Sequence, residues 1–237
     1  MSDLWTMVWK EWRDAFFPQG RLANVGSLMF IALLGVVFPL IDRQGWLTLS
    51  APMVLLNIFF PYYYILVYIG DSFAGERERH TLETLLASRI SDRAILWGKV
   101  VSTVGYIWGM TLVASILSMG VVNLAQGRGP WMFYSPFGLW LGVLSLSLLA
   151  CLFSASGGIL VSLHSRTARQ AAQTFSLGSL GLFLAVYFAV KALPPRWFAG
   201  LSGSQILFVV ILFLAVLDAI LLAISMASFR RERLIIN

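Results

Sequence analysis

Charge is what this sequence has least of. Only 12% of its 237 residues are charged and 59% are hydrophobic, whereas soluble domains carry about 25% charged and about 45–50% apolar residues. So few charges cannot cover a water-facing surface of this size. An ordinary soluble enzyme, a disordered chain and a fibrous protein are thereby excluded. Cysteine is nearly missing too: the single Cys151 lies inside an apolar run, so no intrachain disulfide can form. Ten-residue stretches of alternating polarity are lacking, which argues against a membrane barrel. There is no internal repeat and no low-complexity segment. No cleavable leader is expected, because the first apolar run starts near residue 25 and Asp3, Glu11 and Asp14 precede it.

What the chain does have is long apolar runs, and its mean hydropathy is +0.81. Six runs approach the ~20 residues needed to cross a hydrocarbon core. They cover 24–41, 52–70, 98–124, 137–163, 172–193 and 205–229. Backbone groups cannot stay unpaired in lipid, so each run is expected to be a helix. The fold class that follows is all-α, a polytopic membrane protein with six transmembrane helices in a single transmembrane domain, 1–237. Connections of 10–30 residues leave little room for a soluble domain.

The basic residues set the orientation. With six spans both termini share a side. That side holds Lys10, Arg13, Arg21, Arg77, Arg79, Arg89, Arg93, Lys99, Arg166, Arg169, Arg230, Arg231 and Arg233. The other side holds only Arg43, Arg128, Lys191 and Arg196. Both termini and the loops 71–97 and 164–171 are therefore expected in the cytoplasm. The formal charge of +6 is a topological signal rather than a footprint for nucleic acid, which is not expected as a partner.

Two cytoplasmic stretches are more than connections. Residues 2–18 read as an amphipathic helix, with Leu4, Val8, Trp12 and Phe16 spaced by four and Trp5 and Trp9 beside them. Such a helix lies on the inner leaflet, in contact with membrane lipid, and turns at Pro18 and Gly20. It serves as a plain anchor or as an elbow that also meets a partner. The loop 71–97 reads DSFAGERERHTLETLLASRISDRAILW, with acids and arginines nearly balanced. Leu82, Leu85, Leu86 and Ile90 fall on one helical face, and Arg79 and Glu83 are four apart. Ser91 or Asp92 can cap a second short helix, from Arg93 onward, that feeds the third span. The apolar side of this helical pair packs on the chain's own span ends or on another protein. Spacing leaves both open.

The run FAGERERHTLETLLASRISDRAILWGK, 73–99, resembles the signature of the second, exporter class of ABC transporter permeases. In that family a similar G-E-R-E-x-x-T-L-E-x-L-L stretch forms a coupling helix that sits on an ATP-binding subunit. The N-terminal helix (1–23 with its turn) resembles the family's elbow helix. SRTARQAAQ resembles its second cytoplasmic contact, and FRRERLIIN its basic tail. The resemblance implies a permease subunit moving substrate out across a bacterial or archaeal inner membrane. It implies two ABC-type ATP-binding subunits and a second permease subunit, as homodimer or heterodimer. Glu76, Glu78, Thr81, Leu82, Glu83 and Leu86 are the implied coupling residues. Leu82 and Leu86 would enter a groove on the ATPase, and Glu83 would meet a basic residue there. Glu76 and Glu78 would fix the loop through cytoplasmic arginines.

No cofactor is expected on the chain itself, and no enzymatic activity. ATP and magnesium belong to the partner, because Gly98-Lys99 is followed by Val100 where a phosphate loop needs Ser or Thr, and Arg93 occupies the upstream glycine position. The chain departs from the family in its short segment 194–204 between the last two spans. That segment leaves room for a shallow re-entrant turn and not for an outer domain.

Within the spans, Asp218 is the one acid well inside an apolar run, and an ionisable group there is costly. The alternative to a transport role is that it snorkels inward or accepts hydrogen bonds from hydroxyls on a neighbouring helix. Pro61 should kink the second span. Tyr62, Tyr63 and Tyr64 beside it point around the helix, and with Asp218 they are the candidate substrate pathway or, alternatively, packing residues. Gly105-xxx-Gly109 and Gly138-xxx-Gly142 would permit close helix contacts. His164 has no metal-ligand companion, so a metal site is not expected. Two other functions compete with the permease. One is a membrane scaffold or anchor without transport. The other is an integral-membrane enzyme, such as a lipid-modifying enzyme or a protease.

Overall fold

The computed structural model describes residues 3–16, 25–81, 88, 90–127, 130–165, 167–192, 194 and 202–229. Among these every regular element is a helix. They are α1 (Asp3–Phe16), α2 (Val25–Ile41), α3 (Arg43–Leu47), α4 (Ala51–Gly70), α5 (Asp92–Gln126), α6 (Phe137–His164), α7 (Ala168–Ala192) and α8 (Gly203–Ser228). The last four are long and apolar enough to cross a membrane, while Val25–Ile41 and Ala51–Leu66 are apolar but shorter. The protein is thus a multi-pass membrane protein.

Local sequence accounts for several boundaries. Asp42 caps α3, its Oδ1 accepting the Gly45 amide at 2.9 Å. Ser202 and Gln205 form a reciprocal capping box at the start of α8. Gly127, at φ +77°, follows the end of α5 in the left-handed region that favours glycine. Asp92 begins α5 in the first turn, where an acid suits the helix dipole. The short helix expected from Arg93 onward is no separate element: α5 runs 35 residues without a break. α4 likewise continues through Pro61. Five-residue π turns occupy Leu33–Val37 within α2 and Asp71–Gly75 after α4.

The chain packs as two compact units, Met1–Ile65 with Arg93–Leu152 and Leu66–Asp92 with Phe153–Asn237. In the first unit, α1 lies against the start of α5. Met7 is fully buried, and a Cβ at Gly98 would stand only 2.7 Å from its Cβ, so the glycine admits the close approach. Trp12 Nε1 donates to the Ser102 carbonyl at 3.0 Å. Lys99, 3% exposed, pairs with Glu11 at 3.4 Å. Trp5 and Trp9 are 46% and 61% exposed, and the Trp5 ring meets Trp12 edge-on with centroids 6.3 Å apart. Deeper in the unit, Ser27 Oγ and Tyr106 OH share a hydrogen bond of 2.9 Å. At the other end Tyr134 OH reaches Ser118 Oγ at 2.6 Å and donates to the Ser115 carbonyl at 3.0 Å. Burial raises the Tyr134 phenol above its ordinary pKa, and the Ser118 hydrogen bond acts the other way.

In the second unit the close approaches centre on Gly157 and Gly158 of α6. A Cβ at Gly158 would run into Ile69 Cγ2, and one at Gly157 into the Phe175 ring. Gly109 and Gly138, by contrast, face nothing within 4 Å among the described residues. α8 is tied to α6 by Ser225 Oγ, which donates to the Ser156 carbonyl at 3.1 Å. Most of the apolar surface of α7 and α8 is uncovered, including Leu177, Phe188, Phe208 and Phe213.

Candidate functional site

Residues 73–81 carry the first part of the motif singled out in the sequence, 73–99, and the second unit holds them from several sides. The π turn Asp71–Gly75 shifts the helical hydrogen-bond register. Ser162 Oγ of α6 accepts the amides of Phe73 and Ala74 at 3.2 and 2.9 Å. The Phe73 ring is buried against Phe229, centroids 5.4 Å apart. Glu76–Glu78 then forms one short helical turn.

That turn closes on itself. The His80 amide donates to the Arg77 carbonyl at 3.1 Å and the Thr81 amide to the Glu76 carbonyl at 2.9 Å. Thr81 Oγ1 adds a bond to the same Glu76 carbonyl at 3.2 Å. These are the bonds of a Schellman cap, and they place His80 at φ +57°. A side chain in the left-handed region costs roughly 1–2 kcal/mol. His80→Gly is therefore expected to stabilise the protein by about 1 kcal/mol, read as a raised melting temperature in detergent. A lowered one would mean that the imidazole makes a contact worth more than the strain.

The charged residues of the turn meet helix termini. Arg77 donates to the Ser165 carbonyl at 2.6 Å and to the Leu163 carbonyl at 3.2 Å. It thus satisfies orphan carbonyls at the C-terminal end of α6. Glu78 Oε2 accepts the Ala168 amide at 3.4 Å, the first residue of α7. Thr167 Oγ1 caps the same helix by accepting the Gln170 amide at 3.2 Å. A cation at a C-terminus and an anion at an N-terminus both complement the helix dipole. Glu76 is buried. Residues 73–78 are thus held, and Glu78 meets a helix N-terminus.

Of the other residues singled out, Leu82, Glu83 and Leu86 lie outside the described residues. Thr81 is exposed at the point where the held turn ends. The three tyrosines do point around α4. Tyr62 is buried, and Tyr64 lies 3.5 Å from Ser27 Oγ and 5.1 Å from the Phe30 ring. Tyr63 is 54% exposed and stacks on Phe59 at 6.2 Å. They belong to the first unit, whereas Asp218 belongs to the second. Asp218 is 3% exposed, and neither carboxylate oxygen has a hydrogen-bond partner among the described residues. The hydroxyl donors anticipated for it are not found there.

The contacts of Arg77 and Ser162 and the Glu11–Lys99 pair escaped the sequence reading. The usable signal for Arg77 was its position between two acids directly after a span. A family model described as ABC-2 family transporter protein matches residues 51–225, from the start of α4 to near the end of α8. No curated protein matches the chain.

Proposed function

The chain belongs to the ABC-2 family of transporter proteins, and on that premise we propose that it is the permease half of an ATP-driven exporter. The family supplies the membrane component of ABC transporters and works with an ATP-binding subunit. In this reading α2 and α4 cross the membrane beside the four longer helices, giving six spans. At ~1.5 Å per residue α2 rises roughly 25 Å, close enough to a ~30 Å core to span it with local thinning. Both termini lie in the cytoplasm of a bacterial or archaeal cell, and α1 is the elbow helix, its exposed tryptophans in the inner leaflet.

The ATP-binding subunit docks on the loop 71–97. Leu82 and Leu86 enter its groove, Glu83 meets a basic residue, and Thr81 begins the contact surface. Glu76 and Glu78 hold the loop from behind. Two such subunits bring ATP and magnesium, and a second permease chain, identical or homologous, completes the path. Tyr62, Tyr63, Tyr64 and Asp218 line the substrate route. Aromatic side chains with polar tips suit amphipathic cargo, such as a lipid, a drug or a peptide, better than a small ion.

The observation that carries this reading is the family match across α4 to α8, which includes the whole loop. The test is purification from native membranes in mild detergent, with mass spectrometry of the chains that come along. The wild type is expected to bring an ATP-binding protein in near-equimolar amount, and Glu83→Arg combined with Leu86→Asp to lose it. Absence of any ATP-binding protein in several detergents would favour the scaffold or lipid-modifying enzyme instead.

A further inference from the structure

The segment 71–81 does not touch the α6–α7 turn at one point; it is fastened to it at three. Phe73 and Ala74 are held by Ser162. Arg77 is held by Leu163 and Ser165, and Glu78 by Ala168. All the receiving groups lie within residues 162–168, and all the holding groups within six consecutive residues. The Schellman bonds around His80 lock the turn that carries Arg77 and Glu78, so the two side chains cannot move independently of that backbone. Neighbouring residues of opposite charge thus grip the end of one helix and the start of the next.

We infer that Arg77 and Glu78 are positioning residues that make the Glu76–Glu78 turn and the α6–α7 turn one mechanical piece. A push on the chain just beyond Thr81 then moves α6 and α7 together with α4. This rests on the reading that an ATP-binding subunit docks on the loop 71–97. One docking contact would then drive two helix connections, and the α6–α7 turn would need no push of its own.

The fastening is tested first on the permease alone, by hydrogen exchange with mass spectrometry in detergent. Arg77→Ala and Glu78→Gln are expected to speed exchange of the amides in 165–171 about tenfold, as loss of charge-assisted bonds to helix ends requires. Amides of α1 serve as the unaffected control. Arg77→Lys reaches one carbonyl instead of two and should recover part of the protection. Unchanged exchange in all three variants would overturn the fastening.

Transmission is tested on the wild-type complex with its co-purifying ATP-binding subunit, comparing the nucleotide-free state with ATP and vanadate. Wild type should change exchange in both 71–97 and 162–172. In Arg77→Ala and Glu78→Gln the change in 71–97 should persist and that in 162–172 should vanish, with the ATP-binding subunit still bound. Persistence of the second change, or its absence in wild type, overturns the inference. Loss of the ATP-binding subunit from the variants overturns it too, by making these residues docking contacts. If wild type carries no ATP-binding subunit, the functional reading itself falls, and transmission falls with it. The detergent measurement still decides the fastening.

Discussion

Gly158→Val should destroy the packing of the second unit, and Ile69→Ala in the same chain should restore much of it. A Cβ at 158 runs into Ile69 Cγ2, a branch methyl close to the backbone. β-Branched side chains in helices are stiff at χ1, so Ile69 cannot swing aside and the helices themselves must part. Overpacking of this kind costs typically 1–3 kcal/mol and at times more, a large share of a folding free energy of about 5–15 kcal/mol. Removing the Ile69 branch makes room, although it leaves a small void. The measurement is the melting temperature and monodispersity of fluorescently tagged protein in detergent. Gly109→Ala and Gly138→Ala are the controls, since nothing among the described residues lies within 4 Å of either position. A benign Gly158→Val would mean that α4 and α6 do not approach as described.

The second large effect is an asymmetry at the joint between α1 and α5. Lys99 is 3% exposed, whereas the side chain of its partner Glu11 is 26% exposed. Glu11→Gln removes one carboxylate from beside a buried cation, and weakening a buried ion pair costs up to about 3–5 kcal/mol. Lys99→Met leaves the carboxylate where water can reach it, and a partly exposed charge loses little, about 0–1 kcal/mol. The double variant should resemble Lys99→Met. Thermal melting gives the order, and limited proteolysis shows whether α1 leaves α5. Glu11→Gln proving the milder of the two would overturn this account of the joint.

Much of the helix plan was legible because lipid imposes it. A run such as 205–229 has no alternative to a helix, and α8 follows it within two residues. The amphipathic spacing of residues 2–18 likewise gave α1. Contacts were harder to read. Glu11 and Lys99 are 88 residues apart, and nothing in a single sequence says that two basic-side charges meet. Small-residue spacing pointed to Gly105 with Gly109 and to Gly138 with Gly142, and it gave no sign of the close approaches at Gly98 or at the adjacent pair Gly157–Gly158. Adjacent helix residues face about 100° apart, which is why Gly157 admits α7 and Gly158 admits α4. The motif itself was legible, but its chemistry was not. Arg77 acts on main-chain carbonyls, and carbonyls carry no residue identity for a pattern to match.

The coverage of α8 bears on how firmly that helix is seated. Its buried residues are Asp218 and Ser225, seven apart and so on one face, and the rest of its surface is largely apolar and uncovered. In water such a helix would be driven inward. In lipid, hydrocarbon tails are as good a neighbour as leucine, so that surface has no preference for protein. Interhelical hydrogen bonds in membranes average only about 0.6 kcal/mol. One of the two buried positions makes such a bond to Ser156, and the other is a carboxyl with no hydrogen-bond partner among the described residues, which favours leaving. α8 is therefore lightly held within its unit. A second chain or a passing cargo that offered Asp218 a donor would have little to overcome in drawing the helix aside.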